Sequence, residues 1–241
     1  NFPLWLWLYS FDKSYYYYEK GDNVLTFIDN HHKINMKKHK SNNVALIARH
    51  DKGGQRKLIA DEVSKYYSIN YPSTFRHNSP KINFLMGNWI DKVNYLSDYK
   101  YNICPENSKG EGYFTEKIFN ALESGTIPIY WAISNPEPRI LNPKSYCFAN
   151  VEDKEKMKQS VNHAMENPGE YLSEPLFVPG AHKYVESLYT TLIDSLEILF
   201  IEKNIPITKI TRKQSFPNYY LIIIVMVLII LIIYVCCNLT F

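Results

Sequence analysis

The fold class can be read from residues 99–131, which run Tyr99-Lys-Tyr-Asn-Ile-Cys-Pro-Glu-Asn-Ser-Lys-Gly-Glu-Gly-Tyr-Phe-Thr-Glu-Lys-Ile-Phe-Asn-Ala-Leu-Glu-Ser-Gly-Thr-Ile-Pro-Ile-Tyr-Trp131. Apolar and polar residues alternate over Tyr99–Cys104, as in a β-strand. After a polar loop that contains glycines, Thr115–Ser124 has the pattern of a helix, and Gly125 stands where a glycine commonly ends one. Thr126–Trp131 fits a second strand. A strand, a helix and a strand in this order are typical of a parallel β-sheet.

The same alternation continues on both sides of this segment. Val44–Ala48 is a short apolar run that fits a buried strand, and Lys81–Met86 fits another. The other predicted helices are Gln55–Tyr67, Trp89–Ser97, Lys154–Asn167 and Ala181–Phe200. The sequence therefore predicts an α/β fold in which a Rossmann-like parallel sheet is flanked by helices.

Composition divides the chain into four segments. Hydrophobic residues make up 46% of the 241 residues and charged residues 21%, which indicates a globular protein. We expect residues 1–42 to be an edge piece of a larger structure, 43–206 to be the folded domain, 207–220 to be a basic spacer and 221–237 to be a separate hydrophobic segment. A net charge of +3 argues against a nucleic-acid partner, which would call for a concentrated basic face.

The hydrophobic segment, Leu221–Cys237, contains no charged residue and predicts a single transmembrane helix in a lipid bilayer. As a helix it would extend about 25 Å, slightly less than a bilayer core of about 30 Å, and Tyr219 and Tyr220 would lengthen it into the interface. The alternative is a buried core helix or strand. Lysines and arginines precede the segment, which favours a cytoplasmic position for the folded domain.

The loop and helix start between the two strands of residues 99–131 carry the polar chemistry. Thr115 is placed to cap a helix that begins near Glu116, and a helix start at the carboxyl end of a parallel sheet is a common phosphate site. Lys117 adds a positive charge there, while Glu106, Asn107 and Tyr113 offer acceptors, an amide and an aromatic face. These groups could bind a nucleotide sugar. They could equally form an ordinary connection between a strand and a capped helix.

The same segment resembles the signature of glycosyltransferase family 10, the α-1,3-fucosyltransferases. The resemblance rests on Tyr99-Lys100-Tyr101, Glu106-Asn107-Ser108, Tyr113-Phe-Thr-Glu-Lys117 and Gly125-Thr-Ile-Pro128. It continues more weakly through residues 141–146 and 151–153, and back to the predicted helix that contains Arg56. Two residues depart from the pattern. Pro105 stands where the family usually has Phe, and Ala132 stands where Gly is usual after the tryptophan. Neither departure changes a charged residue of the signature.

The resemblance implies a donor-binding domain for GDP-fucose and a role for five residues. Lys117 would hold the donor pyrophosphate, and Arg56 would hold it from the other side. Glu116 would be the catalytic carboxylate that stabilises positive charge on the fucose ring. Asn107 and Tyr113 would contact the ribose or the base. Arg49 and Arg76 are possible substitutes for Arg56.

The chemistry of fucose transfer suits these groups. The transition state resembles an oxocarbenium ion, which a carboxylate stabilises, and the leaving GDP gains negative charge, which cations stabilise. The sequence contains no Asp-x-Asp motif. The resemblance therefore implies a two-domain (GT-B), inverting transferase that needs neither a metal nor a cofactor, with a glycan as acceptor.

An inverting transferase also needs a general base, which in this family lies in the amino-terminal, acceptor-binding domain. We expect that residue to lie upstream of Asn1, with residues 1–42 as the edge of the acceptor domain; Asp12 and Glu19 qualify only by residue type. Two alternatives stay open, namely an inactive membrane-tethered remnant that binds nucleotide sugars, and a transferase for another nucleotide sugar. The family resemblance implies the Golgi or another endomembrane, with the orientation left open.

Overall fold

The computed structural model describes residues 24–30, 40, 42–80 and 89–202. Two compact units are present, 1–192 and 193–241, and the second is described only over 193–202. The strands are β1 (Asn42–Ala45), β2 (Ile69–Asn70), β3 (Tyr99–Ile103), β4 (Ile127–Tyr130) and β5 (Cys147–Phe148). The helices are α1 (Val24–Asn30), α2 (Gln55–Val63), α3 (Trp89–Leu96), α4 (Lys117–Glu123), α5 (Lys154–Glu166), α6 (Pro168–Ser173) and α7 (Ala181–Glu202).

The five strands form one parallel sheet in the order β2-β1-β3-β4-β5, which confirms the predicted Rossmann-like α/β class. The chain first moves from β1 outward to β2 and then returns past β1 to β3. This reversal opens a crevice between the carboxyl ends of β1 and β3, where parallel α/β sheets bind ligands.

Burial explains why the central strands are short apolar runs. The side chains of Tyr101, Ile127 and Ile129 are fully buried, because helices cover the sheet. The predicted glycine stop after α4 is confirmed: Gly125 has φ 71°, and the N–H groups of Gly125 and Thr126 bond back to the carbonyls of Leu122 and Ala121. This is a Schellman motif, which closes the helix and turns the chain directly into β4.

Several of the observed elements are shorter than the predicted ones, although α7 extends past its predicted end to Glu202. Helix α2 ends at Val63 rather than Tyr67, because the N–H groups of Ser64 to Tyr67 continue in turns. Strands β2 and β5 have two residues each, too few to leave a periodic pattern in the sequence. The predicted strand Lys81–Met86 and the predicted transmembrane helix 221–237 lie outside the described residues. Within the described ranges, no helix combines the length and apolar character needed to cross a bilayer.

Candidate active site

Two loops meet in the crevice between β1 and β3. The loop after β1 leads through Gly53 and Gly54 into α2, and the loop after β3 leads through Glu106 and Asn107 toward α4. Both loops leave the carboxyl ends of adjacent strands, so their residues come together although about 50 positions separate them.

The side chain of Glu106 lies at the centre of this region and is 0% exposed. Its Oε1 accepts hydrogen bonds from the Thr115 backbone N–H (2.8 Å) and the Tyr130 hydroxyl (2.9 Å). Its Oε2 accepts from the Thr115 hydroxyl and the Lys117 ammonium, both at 2.8 Å. We call Glu106, Thr115, Lys117 and Tyr130 the Glu106 cluster. Burial of a carboxylate is tolerated here because donors surround both oxygens.

The cluster corrects the expectation that Thr115 caps a helix starting near Glu116. Helix α4 begins at Lys117, its N-cap position is Glu116, and no side chain caps it. The Thr115 hydroxyl instead donates to Glu106 and accepts from Lys117 at 2.7 Å. The buried carboxylate requires donors, and the threonine supplies two of them.

Lys117 and Glu116 are both largely buried, with side chains 19% exposed. Burial alone would lower the pKa of Lys117, but the carboxylates of Glu106 and Glu116 raise it above its ordinary value. Burial alone would raise the pKa of Glu116, but Lys117 and Lys92 lower it; the Lys92 ammonium lies 3.7 Å from its Oε1. The site therefore presents a fixed positive charge beside a fixed negative one at neutral pH.

Arg56 lies on the other side of the crevice, in the first turn of α2, and is 5% exposed. Its guanidinium donates to the His50 carbonyl at 2.8 Å and to the Asn107 side-chain oxygen. Burial lowers the pKa of Arg56, while Asp51 and Glu106 act in the opposite direction. Asp51 also accepts the N–H groups of Arg56 (3.1 Å) and Lys57 (2.8 Å), so its carboxylate occupies the start of α2.

Gln55 is a site residue that sequence reasoning missed. It is 3% exposed, and its amide donates to the backbone carbonyls of Glu106 (2.9 Å) and Asn107 (3.4 Å). A Cβ on Gly53 would lie 2.0 Å from the Gln55 Oε1, so the glycine makes room for this side chain. The only sequence signal was the pair Gly53-Gly54 before a helix. From the sequence alone, Glu106 is predicted only as a possible ligand contact, and Tyr130 only as part of a strand.

Of the other predicted site residues, Asn107 and Tyr113 lie in the loop after β3, whereas Arg76 pairs with a residue of α2. Asn107 is exposed and Tyr113 is half-buried in the same loop; Tyr113 also helps to raise the pKa of Lys117, so the two groups are neighbours. Arg76, a suggested substitute for Arg56, pairs instead with Asp61 at 2.8 Å.

The other suggested site residues are Arg49, as a substitute for Arg56, and the base candidates Asp12 and Glu19. Arg49 is exposed within the loop between β1 and α2. The base candidates Asp12 and Glu19 lie outside the described residues. No group of His, Cys, Asp or Glu among the described residues is arranged to hold a metal ion.

A family model described as glycosyltransferase family 10 (fucosyltransferase) C-term matches residues 36–173, more than half of the chain. The α-(1,3)-fucosyltransferase FucT of Helicobacter pylori is 38% identical over 117 residues, which are 48% of this chain and 21% of that protein. An α-(1,4)-fucosyltransferase of Arabidopsis thaliana is 46% identical over 48 residues, 20% of this chain and 12% of that protein. The chain thus spans about a fifth or less of the length of these relatives.

Solved structures with a similar arrangement are also known. A crystal structure of an α1,3-fucosyltransferase with GDP-fucose superposes with a TM-score of 0.46 at 22% identity, covering 69% of this chain and 51% of the other. Another crystal structure of an α1,3-fucosyltransferase gives a TM-score of 0.48 at 21% identity, covering 74% of this chain and 52% of the other.

Proposed function

Because the chain belongs to glycosyltransferase family 10, the fucosyltransferase family, we propose that its Rossmann-like domain binds GDP-fucose. The complete protein then transfers L-fucose from this donor to a hydroxyl of a glycan acceptor, as one half of a two-domain (GT-B) transferase. The observation that carries the proposal is the pair of largely buried cations, Lys117 and Arg56, on either side of the Glu106–Asn107 loop in the ligand crevice of the sheet.

The two cations bind the donor pyrophosphate. Lys117 uses two of its three N–H donors on Glu106 and Thr115, and the third has no partner among the described residues. Arg56 is oriented by His50 and Asn107 rather than by a carboxylate, so its charge stays available for a phosphate. Both groups then stabilise the negative charge that GDP gains as it leaves.

Glu116 acts on the sugar rather than on the phosphates. Its pKa is lowered, so it is negative at neutral pH, and it directly precedes Lys117 in the chain. A carboxylate beside the ring stabilises the oxocarbenium-like transition state. In the same step the acceptor oxygen bonds to the anomeric carbon, the bond to the diphosphate oxygen breaks, and the acceptor proton passes to a base in the acceptor-binding domain.

The nucleoside end of the donor contacts the loop after β3. The Asn107 side-chain oxygen accepts a hydrogen bond from Arg56. The Asn107 amide nitrogen then donates to a ribose hydroxyl or to the base. Tyr113 offers an aromatic face in the same loop. With two cations on the leaving group, the reaction requires neither a metal nor a cofactor.

Calorimetry with the full-length chain tests the donor site. We expect GDP and GDP-fucose to bind, and Lys117→Ala and Arg56→Ala to weaken binding by about tenfold or more, since charge-assisted bonds to a phosphate contribute about 1.5–3 kcal/mol each. The matched controls are Lys158→Ala on α5 and Lys57→Ala, both surface lysines. A folded chain that binds no GDP would refute the donor site. Equal binding of UDP-sugars would favour the transferase for another nucleotide sugar. Donor binding without fucose transfer would favour the inactive remnant only if the complete protein, with its acceptor-binding domain, behaves this way.

For the carboxyl-terminal segment, we propose a single membrane span at residues 221–237 in the Golgi or another endomembrane, on the strength of its uncharged sequence. Protease treatment of sealed microsomes tests the orientation. Digestion of the folded domain would place it on the cytoplasmic side, and protection would place it in the lumen.

A further inference from the structure

A pocket of about 740 Å³ opens at the edge of the sheet beside β5. Its wall comes from the loop that precedes β5, from Phe148 of β5, from α5 and from α6 with the residue after it. The residues that matter for its chemistry are Tyr146, Phe148, Gln159, His163, Glu170 and Tyr171. The volume lies in the range of small-molecule sites, which is roughly 300–1,000 Å³.

This pocket is separate from the candidate active site. Neither the cations Arg56 and Lys117 nor the carboxylates Glu106 and Glu116 line it. Strand β4 lies between β5 and β3, the strand that leads into the active-site loop. The nearest link is Tyr146, whose ring meets the Tyr130 ring edge-on at 6.4 Å between centroids.

The pocket combines aromatic faces with a hydroxyl that lacks a protein partner. Tyr171 and Phe148 are half-buried and present ring surface to the opening. Tyr146 is 3% exposed, and within the described part of the chain its hydroxyl makes no hydrogen bond. Burial raises the pKa of Tyr146 to about 12, so the hydroxyl stays a donor at neutral pH. Because this hydroxyl is accessible from the pocket, a ligand bound there can supply its hydrogen-bond partner.

The polar groups around the pocket lie in pairs. His163 lies 2.8 Å from Glu170, and Lys144 lies 3.8 Å from Glu174. The His163 ring and the Lys144 ammonium therefore each have a carboxylate beside them, which disfavours a phosphate or another anion. The carboxylates and the Gln159 amide remain able to accept hydrogen bonds from hydroxyl groups.

We propose that this pocket binds a neutral saccharide, with sugar rings against Tyr171 and Phe148 and sugar hydroxyls on Tyr146, Gln159 and the carboxylates. Apolar faces surrounded by hydroxyls are the pattern that a pyranose presents, and the pocket offers the complement of both. The site is additional to the donor crevice and does not depend on the function proposed for it.

Saturation-transfer NMR with the full-length chain and neutral disaccharides tests this site, with lactose, cellobiose and diacetylchitobiose as probes. Saturating GDP is present throughout. We expect at least one disaccharide to bind with millimolar affinity, and Tyr171→Ala and Gln159→Ala each to weaken it by about fivefold or more. Tyr66→Ala, at a tyrosine 38% exposed and outside the pocket lining, is the matched control and should bind as the unmodified chain does.

The outcomes are distinct from those for the donor crevice. GDP affinity should be unchanged in the pocket variants, so loss of saccharide binding alone supports the pocket. Gln159 is exposed, so its replacement should leave the fold intact and keeps the test decisive if Tyr171→Ala fails to fold. Absence of binding by all three disaccharides, or binding that neither pocket variant weakens, would overturn the proposal.

Discussion

Replacing Glu106 with glutamine should destabilise the folded domain by about 3–5 kcal/mol, the range for breaking a buried ion pair. The substitution keeps the size of the side chain but removes its charge and exchanges one acceptor oxygen for an NH₂ group. If the NH₂ replaces Oε2, it faces the ammonium of Lys117, which already lies 2.8 Å away. If it replaces Oε1, it faces the fixed backbone N–H of Thr115 at 2.8 Å.

Either orientation leaves a buried donor unsatisfied, at about 1–3 kcal/mol, and both remove the carboxylate charge that directly contacts Lys117, so that Glu116 is the only carboxylate still acting on it. Since Lys117 is only 19% exposed, water cannot replace the lost partner fully. The expected loss is a large part of the total stability of a typical domain, about 5–15 kcal/mol.

Urea unfolding of the full-length chain, followed by circular dichroism, measures this change. Glu111→Gln, at an exposed glutamate of the same loop, is the matched control and should change the free energy of unfolding by less than about 0.5 kcal/mol. In a Lys117→Met background, Glu106→Gln should cost less, because the unpaired ammonium is gone. A cost below about 1 kcal/mol with Lys117 intact would refute the reasoning.

Three further predictions concern other contacts. Lys40→Met removes two hydrogen bonds to carbonyls that follow α3 and α4, at 2.7 and 3.1 Å, and should lower the free energy of unfolding by about 1–2 kcal/mol, whereas Lys57→Met should not. Gly53→Ala should destabilise by about 1–3 kcal/mol through its clash with Gln55; if adding Gln55→Ala relieves none of this cost in a double-mutant cycle, the clash is not the cause. Glu116 has a folded-state pKa below its ordinary 4.5, so its contribution to stability is present above pH 4.5 and lost as the pH falls through the lower folded value. The stability difference between Glu116→Gln and the unmodified chain should shrink below pH 4.5, and a difference independent of pH would contradict this.

The order of elements around residues 99–131 was predictable because it depends on short-range physics. Apolar runs, a helical period and a glycine stop are properties of neighbouring residues, so β3, α4, Gly125 and β4 were found with small errors at their ends. The family resemblance also predicts roles for Lys117 in this segment and for Arg56 in the earlier helix α2, and in the structure their side chains bond to Glu106 and Asn107 of one loop.

The partners of those residues depended on the tertiary structure. Gln55 bonds the carbonyl of Glu106 across 51 positions, and Arg56 bonds Asn107 across the same separation. Such contacts exist only because the order of the strands brings β1 beside β3, and no local pattern encodes that neighbourhood. Thr115 shows the physical reason. The local rule for capping favours the helix start, but the Thr115 hydroxyl instead bonds the carboxylate of Glu106, which is fully buried and costly to leave without donors.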